Sequence, residues 1–212
     1  MDWEAELSGA VMEGDEIKAA EVAGKALQGG SKAEDILQKG AVAGVQEAGR
    51  LWQEGDFFLP DVILATEAYK EVMKLLEPSL SPGGMSYKGR VIIGSVEGDA
   101  HDIGKNIVTA MLRCSSYEVL DLGIDVPLGE FVDGTRELEP DILGMGAYMT
   151  TTMRGMEEVI RMLREEGLRD GVKVIVGGAA VTRDYAESIG ADGYGDNAAE
   201  TVEMVDGFLG VS

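Results

Sequence analysis

The stretch RVIIGSVEGDAHDIGKNIV, residues 90–108, decides the fold of this chain. A short β-branched run at 90–96 leads into a loop rich in glycine and acidic residues. An amphipathic pattern typical of a helix follows that loop. Strand–loop–helix units of this kind build parallel sheets, whose ligands bind beyond the carboxyl ends of the strands. The loop at 97–106 is therefore the first place where we expect a functional site.

The same alternation continues to the C-terminal end. The predicted strands lie at Arg90–Val96, Tyr117–Leu122, Asp141–Met145 and Val172–Val176, with a weaker one near Gly193. The predicted helices span 103–115, 128–138, 153–167, 181–189 and 197–209. This pattern predicts an α/β fold in which residues 85–212 form a Rossmann-like, flavodoxin-like domain with a five-stranded parallel sheet.

Residues 1–84 have a different, purely helical periodicity. The pattern predicts four short helices that form a bundle. Ser31 and Glu34 have the spacing of a capping box for the third helix. Pro60 opens the fourth helix and Pro78 closes it. The segment Pro78–Gly84 is predicted to be a linker between the two domains, with a hinge near Ser81–Gly84.

Composition excludes several classes of function. The net charge is −21, from 18 basic and 39 acidic residues, and such a chain would repel a nucleic acid. No apolar run approaches the length of a membrane span, so we expect no membrane partner. The one cysteine, Cys114, lies in the apolar pattern of a predicted helix, where we expect it to be buried. A lone cysteine fits a reducing compartment, and we expect a cytoplasmic protein.

His101 is the only histidine and lies in the loop after the first predicted strand. An imidazole can bind a metal through one nitrogen while a carboxylate holds the other, and Asp99 lies two residues earlier. A lone histidine of this kind is also compatible with an ordinary surface residue. One histidine is too few for a conventional zinc or iron site, unless a cofactor supplies the remaining ligands.

The pattern Asp99-x-His101-x-x-Gly104, followed by Gly146-x-Tyr148 and then Gly177-Gly178, resembles the cobalamin-binding signature DxHxxG…SxL…GG. The similarity covers essentially the whole chain, because the helical half also resembles the bundle that caps the cofactor, above all at 55–60. The chain is thus similar to corrinoid proteins of methylamine, methanol and aryl-methyl-ether methyltransferase systems, and to the cobalamin module of methionine synthase.

The resemblance implies a role for each matching residue. His101 would be the axial ligand of cobalt in place of the cofactor's own lower base, Asp99 would accept its other N–H, and Thr152 would end the relay. The nucleotide tail would enter a slot lined by Gly104, Gly146, Thr150, Gly177 and Gly178. Further contacts are implied for Asp102, Ile103 and Tyr148, and Phe58 and Leu59 would cover the upper face. For these last two residues, plain bundle core is the alternative.

The chain departs from the signature at two positions. Gly146 stands where the family has a serine that bonds to the lower base, and Tyr148 stands where it has a leucine. The serine contact is therefore absent or water-mediated. Tyr148 compensates for it, or the natural cobamide has a different lower base.

The resemblance implies a corrinoid methyl carrier that cycles between cob(I)alamin and methylcobalamin. Its partners would be a substrate-specific methyltransferase, a second methyltransferase with tetrahydrofolate or coenzyme M as acceptor, and a reductive activation protein. The carrier is not expected to turn over alone, and the sequence does not indicate the methyl donor.

Four alternatives share parts of this pattern. A cobalamin-binding subunit of an adenosylcobalamin-dependent mutase has the same sheet and histidine motif, but not this helical bundle. A cobalamin-sensing regulatory protein would need a DNA-binding module, and no basic helix-turn-helix is visible. A phosphoacceptor domain needs an aspartate where strand three ends in Met145 and Gly146. A flavin-binding electron carrier would not need the pair Asp99 and His101.

Overall fold

The computed structural model describes residues 3–80 and 87–211. It divides the chain into two compact units. The first is Met1–Tyr87 together with Arg113–Ser116, and the second is Lys88–Leu112 together with Tyr117–Ser212. The predicted linker begins at Pro78 within a described 3₁₀ turn, and its predicted hinge at Ser81–Gly84 lies outside the described residues.

The first unit is helical, as its periodicity predicts. Its elements are α1 (Trp3–Met12), α2 (Glu16–Gln28), α3 (Ala33–Ile36), a π-helical segment (Leu37–Val42), α4 (Ala43–Glu54), α5 (Leu59–Leu76) and a 3₁₀ turn (Glu77–Ser79). The third predicted helix is therefore interrupted by a π segment. A Cβ on Gly40 would lie 2.4 Å from the Leu7 side chain, and one on Gly44 would lie 2.5 Å from the Ser8 carbonyl oxygen. The two glycines thus allow α1 to approach closely.

The predicted capping box at the third helix is wrong. The helix begins at Ala33 with Lys32 as its N-cap, and the Lys32 side chain makes no capping hydrogen bond. Ser31 lies one residue too early, because its backbone N–H still closes the end of α2 by donating to the Ala26 carbonyl. The sequence pattern does not reveal how long the preceding turn is.

The second unit is an α/β domain. Its elements are β1 (Arg90–Val96), α6 (Ile103–Cys114), β2 (Glu118–Val126), α7 (Leu128–Leu138), β3 (Ile142–Gly146), α8 (Arg154–Glu165), a 3₁₀ turn (Arg169–Gly171), β4 (Lys173–Gly177), α9 (Arg183–Ile189), β5 (Gly193–Gly195) and α10 (Ala198–Leu209). The five strands are parallel, in the order β2-β1-β3-β4-β5. This is the flavodoxin-like order, and its topological switch point lies between β1 and β3.

The central strands are buried, as expected for a parallel sheet with helices on both faces. Residues 91–96 of β1 are all buried. One apolar cluster joins Ile92 and Leu143 of the sheet to Phe131 of α7 and Met156 of α8. Burial of these side chains fixes the strand ends, and with them the loops that follow.

β2 extends four residues beyond its predicted end. Gly123 and Asp125 have positive φ angles of 94° and 51°, which lie outside the β region of backbone conformations. The strand continues because its register with β1 shifts twice, which pairs Gly94 with Gly123 and Val96 with Val126. This pairing is a tertiary effect that the residue pattern cannot predict.

Cys114 is buried at the end of α6, as predicted, and burial raises the pKa of its thiol to about 12. Within the described ranges 3–80 and 87–211, no helix has both the length and the apolar character to cross a membrane.

Candidate functional site

Three loops meet at the carboxyl edge of the sheet, on both sides of the switch point. The loop after β1 carries Asp99 and His101, and the loop after β3 carries Tyr148 and Thr152. Asp99 accepts a hydrogen bond of 2.7 Å from the backbone N–H of Tyr148, which joins these two loops directly. The end of β4, where the third loop begins, is joined to the second loop by the backbone N–H of Ala147, which donates to the Gly177 carbonyl at 3.0 Å.

Asp99 is the centre of this arrangement and is completely buried. Oδ1 accepts from the backbone N–H and from Nδ1 of His101, at 3.2 and 2.8 Å. Oδ2 accepts from the Thr152 hydroxyl and the Tyr148 backbone N–H, each at 2.7 Å. Burial by itself raises the pKa of Asp99, but these hydrogen bonds, led by that of Thr152, outweigh it and lower the pKa to about 2. Asp99 is therefore an anion at neutral pH.

The anionic Asp99 determines which nitrogen of His101 is available. A carboxylate only accepts, so Nδ1 carries the proton, and the lone pair of the neutral ring lies on Nε2. Nε2 has no hydrogen-bond partner among the residues that the structure describes, and the His101 side chain is 56% exposed. The Ser95 hydroxyl also donates to the His101 carbonyl at 2.8 Å, which fixes the backbone below the ring. His101 thus presents an oriented nitrogen donor to the surface.

Thr152 completes a hydrogen-bonded chain that runs from the surface into the domain. Its hydroxyl is buried and lies 2.7 Å from Asp99 Oδ2 and 3.0 Å from the Met149 carbonyl. A hydroxyl has one proton, and the shorter, charge-assisted contact with Asp99 is the stronger of the two. The structure therefore brings together His101, Asp99 and Thr152, the three residues predicted to form the relay.

Two of the predicted slot glycines are required by the fold itself. Gly178 has a φ of +113°, and a Cβ there would lie 2.2 Å from the Ala147 carbonyl oxygen. A Cβ on Gly177 would lie 2.8 Å from the Gly195 carbonyl oxygen. These contacts explain the absence of side chains without a bound group, and the role of both glycines in a tail slot stays a prediction.

Gly104 and Gly146 lie on either side of the Tyr148 ring. A Cβ on Gly104 would lie 2.4 Å from the Tyr148 hydroxyl oxygen, and one on Gly146 would lie 3.5 Å from a ring carbon. Burial raises the pKa of the Tyr148 hydroxyl, and the nearby backbone N–H of Lys105 opposes that rise. The ring centroids of Tyr148 and His101 are 5.4 Å apart. The tyrosine side chain therefore fills the space between β3 and the first turn of α6.

The remaining predicted residues of the α/β domain are exposed on the same loops. Asp102 begins α6, since its backbone carbonyl accepts the N–H of Asn106 at 2.8 Å, and its carboxylate accepts from the Asn106 side chain at 3.3 Å. Ile103 is 72% exposed, which is unusual for so large an apolar side chain. Thr150 is exposed on the loop after β3.

Phe58 and Leu59 belong to the helical unit. Phe58 is the N-cap of α5, and its backbone N–H donates to the Asp61 carboxylate at 2.8 Å. Its side chain is 71% exposed, which excludes the alternative that it is bundle core. Leu59 is half-buried. Their role above a cofactor stays a prediction.

Three polar residues that support these loops are not predicted from the sequence, namely Ser95, Lys105 and Asp121. Ser95 is completely buried in the apolar strand β1, and a lone serine in such a run was the available signal. Lys105 is also buried and forms an ion pair of 2.6 Å with Asp121 of β2. A lysine buried in α6 and paired with a distant strand has no local signal, because the pairing depends on the packed domain.

The donor set suits a metal that brings most of its own ligands. No group of three or more histidine, cysteine or carboxylate side chains could hold a metal ion in the described parts of the chain. One exposed imidazole with a fixed tautomer can, however, supply a single axial ligand to a metal held by a macrocycle. The exposed Ile103 beside it suits an apolar planar group. The residues therefore fit the cobalt of a corrinoid.

Comparisons with known proteins agree with this chemistry. A family model described as a B12 binding domain matches residues 89–203, and a second model with the same description matches residues 3–77. A corrinoid protein of Desulfitobacterium hafniense is 43% identical over 208 residues, which are 97% of this chain and 96% of that protein. The trimethylamine corrinoid protein 1 of Methanosarcina acetivorans is 43% identical over 95% of this chain and 94% of its own length.

Two solved structures of cobalamin proteins are also similar to this chain. A chain of the methanol:cobalamin methyltransferase complex of Methanosarcina barkeri matches with a TM-score of 0.89 and 34% identity, over 100% of this chain and 81% of that chain. A cobalamin-binding protein of Desulfitobacterium hafniense matches with a TM-score of 0.65 and 34% identity, over 98% of both chains. The chain therefore belongs to the family of cobalamin-binding corrinoid proteins of methyltransferase systems.

Proposed function

We propose that this chain is a methyl carrier that holds a corrinoid on its α/β domain, where Nε2 of His101 would bind the cobalt. The observation that carries the proposal is the 2.8 Å contact between His101 Nδ1 and the buried Asp99, which leaves Nε2 available at the topological switch point. When bound, the corrinoid supplies a cobalt centre that accepts a methyl group and gives it up again. The protein supplies binding, orientation and proton control.

The hydrogen bonds that link His101 to Asp99 and Asp99 to Thr152 give this control over the proton on the imidazole. The Asp99 carboxylate holds the Nδ1 proton and so keeps the Nε2 lone pair available for the metal. A proton gained at His101 would remove that lone pair, so protonation and metal binding compete at the same ring. Thr152 stabilises the Asp99 anion and keeps the relay buried. These three residues would thereby couple axial ligation to proton uptake.

The partners proposed for the carrier are a substrate-specific methyltransferase, a second methyltransferase that takes the methyl group to tetrahydrofolate or coenzyme M, and a reductive activation protein. The similarity to a chain of a methanol:cobalamin methyltransferase complex supports the first of them. The relative named a trimethylamine corrinoid protein supports a methylated amine as one candidate donor. Phe58 and Leu59 are proposed to exclude water from the upper face of the corrinoid.

Axial ligation is tested by the visible absorption spectrum of the protein incubated with hydroxocobalamin. We expect retained corrinoid with a histidine-ligated spectrum for the natural chain and loss of that spectrum for His101→Ala. Added imidazole should restore the spectrum of His101→Ala, because it can fill the space left by the ring. Identical spectra for the two proteins would contradict ligation by His101, and failure to retain corrinoid would overturn the proposal.

A further inference from the structure

The Tyr148 side chain occupies the space that the resemblance assigns to the nucleotide tail of the corrinoid. Its ring lies between Gly104 at the start of α6 and Gly146 at the end of β3, two residues of the predicted slot. The hydroxyl oxygen lies so close to Gly104 that a Cβ there would be 2.4 Å away. The ring and an inserted tail cannot occupy this space together.

The ring is held in place by specific contacts. Its hydroxyl lies against Gly104 and beside the backbone N–H of Lys105, one of the N–H groups in the first turn of α6 that have no partner within the helix. The ring is half-buried and lies 5.4 Å from the His101 ring, centroid to centroid. Displacement of the side chain therefore removes these contacts and exposes apolar ring surface, and it costs free energy.

The backbone of Tyr148 is fixed independently of the ring. Its N–H donates to Asp99 at 2.7 Å, and Asp99 is in turn bonded to Thr152 and His101. Movement of the loop as a whole would break the arrangement that orients His101. The ring can leave the slot without that loss only by rotation about its own side-chain bonds.

We propose that Tyr148 determines which corrinoids this chain prefers, because a corrinoid with a nucleotide tail must displace the Tyr148 ring and a corrinoid without one does not. The inference rests on the proposed function. It gives Tyr148, which stands where the signature has a leucine, a role in cofactor selection. Displacement of the ring costs free energy only when the nucleotide tail is inserted. We therefore expect binding of cobalt by His101 to be unaffected.

The test compares two corrinoids, hydroxocobalamin and cobinamide, which lacks the nucleotide tail. Dissociation constants and association rates are measured by absorbance for the natural chain, Tyr148→Leu and Tyr148→Phe. For Tyr148→Leu we expect cobalamin to bind about tenfold more tightly, because the tail no longer has to displace a half-buried aromatic ring. Cobinamide affinity should change less than about twofold.

Tyr148→Phe is the matched control, because it keeps the ring and removes only the hydroxyl. Its cobalamin affinity should lie between those of the natural chain and Tyr148→Leu. Unchanged cobinamide binding also shows that each variant is folded. An equal change for both corrinoids, or no change for cobalamin, overturns the inference while the proposed function stands. Binding of neither corrinoid by the natural chain overturns both.

Discussion

At the scale of single residues, the electrostatics of Asp99 are the central feature of the site. A completely buried carboxylate is stable only when its oxygens are satisfied, and Asp99 accepts four hydrogen bonds. The result is a pKa of about 2 for the carboxyl group and a defined tautomer for His101. One residue therefore links the stability of the loops to the chemistry of the histidine.

This link predicts a pH dependence of stability. Because the folded pKa of Asp99 lies below its unfolded value of about 3.9, the anion stabilises the fold above pH 4, by roughly 2 kcal/mol. That contribution is lost as the pH falls from about 4 to 2. Asp99→Asn lacks it, so the free energy of unfolding of the two proteins, measured with urea, should converge over this range.

The control is Asp133→Asn, since the Asp133 side chain is 64% exposed and its ion pair with Arg136 lies at the surface. Its free energy of unfolding should stay within about 0.5 kcal/mol of the natural value at each pH. Parallel curves for the natural chain and Asp99→Asn down to pH 2 would show that Asp99 is not the source of the dependence.

At the scale of elements, the site is built by close approach of loops rather than by the strands and helices themselves. The loop after β4 can lie against the loop after β3 only because Gly178 has no side chain and adopts a φ of +113°. The helices and strands could be predicted to within a few residues from periodicity, since each buries a regular face. The π segment and the extension of β2 could not, because they arise from contacts with other elements.

We expect Gly178→Ala to destabilise the protein by about 3 kcal/mol or more, from the combined strain of the positive φ and the collision with the Ala147 carbonyl. Gly207→Ala is the matched control in the same unit. Gly207 lies in α10, and a Cβ there would meet nothing within 4 Å, so the substitution should stabilise the helix by about 0.5–1 kcal/mol. Urea unfolding measures both, and effects of the same sign would contradict this account.

At the scale of the whole molecule, the net charge of −21 is the dominant property. The ion pairs within α4 and α8, such as those of Arg50 and Arg161, join exposed side chains, and each contributes little. The excess of acidic residues instead repels itself and lowers the stability of the folded chain at low ionic strength.

Added salt screens the repulsion between the acidic residues and should therefore stabilise the protein. We expect the melting temperature to rise by roughly 3 °C between about 0.02 and 0.5 M sodium chloride, as the Debye length falls to a few ångströms. Circular dichroism at 222 nm follows the transition, and sucrose of equal osmolality controls for effects other than screening. A melting temperature that falls with salt would mean that the surface ion pairs outweigh the repulsion.

Residue patterns are enough to predict the class of fold, the two kinds of periodicity and the pair Asp99 and His101. These features are encoded by short spacings, which act within one strand, one helix or one loop. The resemblance named Thr152, but only the tertiary structure brings its hydroxyl to Asp99 across 53 positions of sequence. Asp99 is buried and its pKa is lowered only in the folded domain. The contact between Tyr148 and Gly104 also exists only there. Burial and long-range contact depend on how the sheet packs, and no local pattern specifies them.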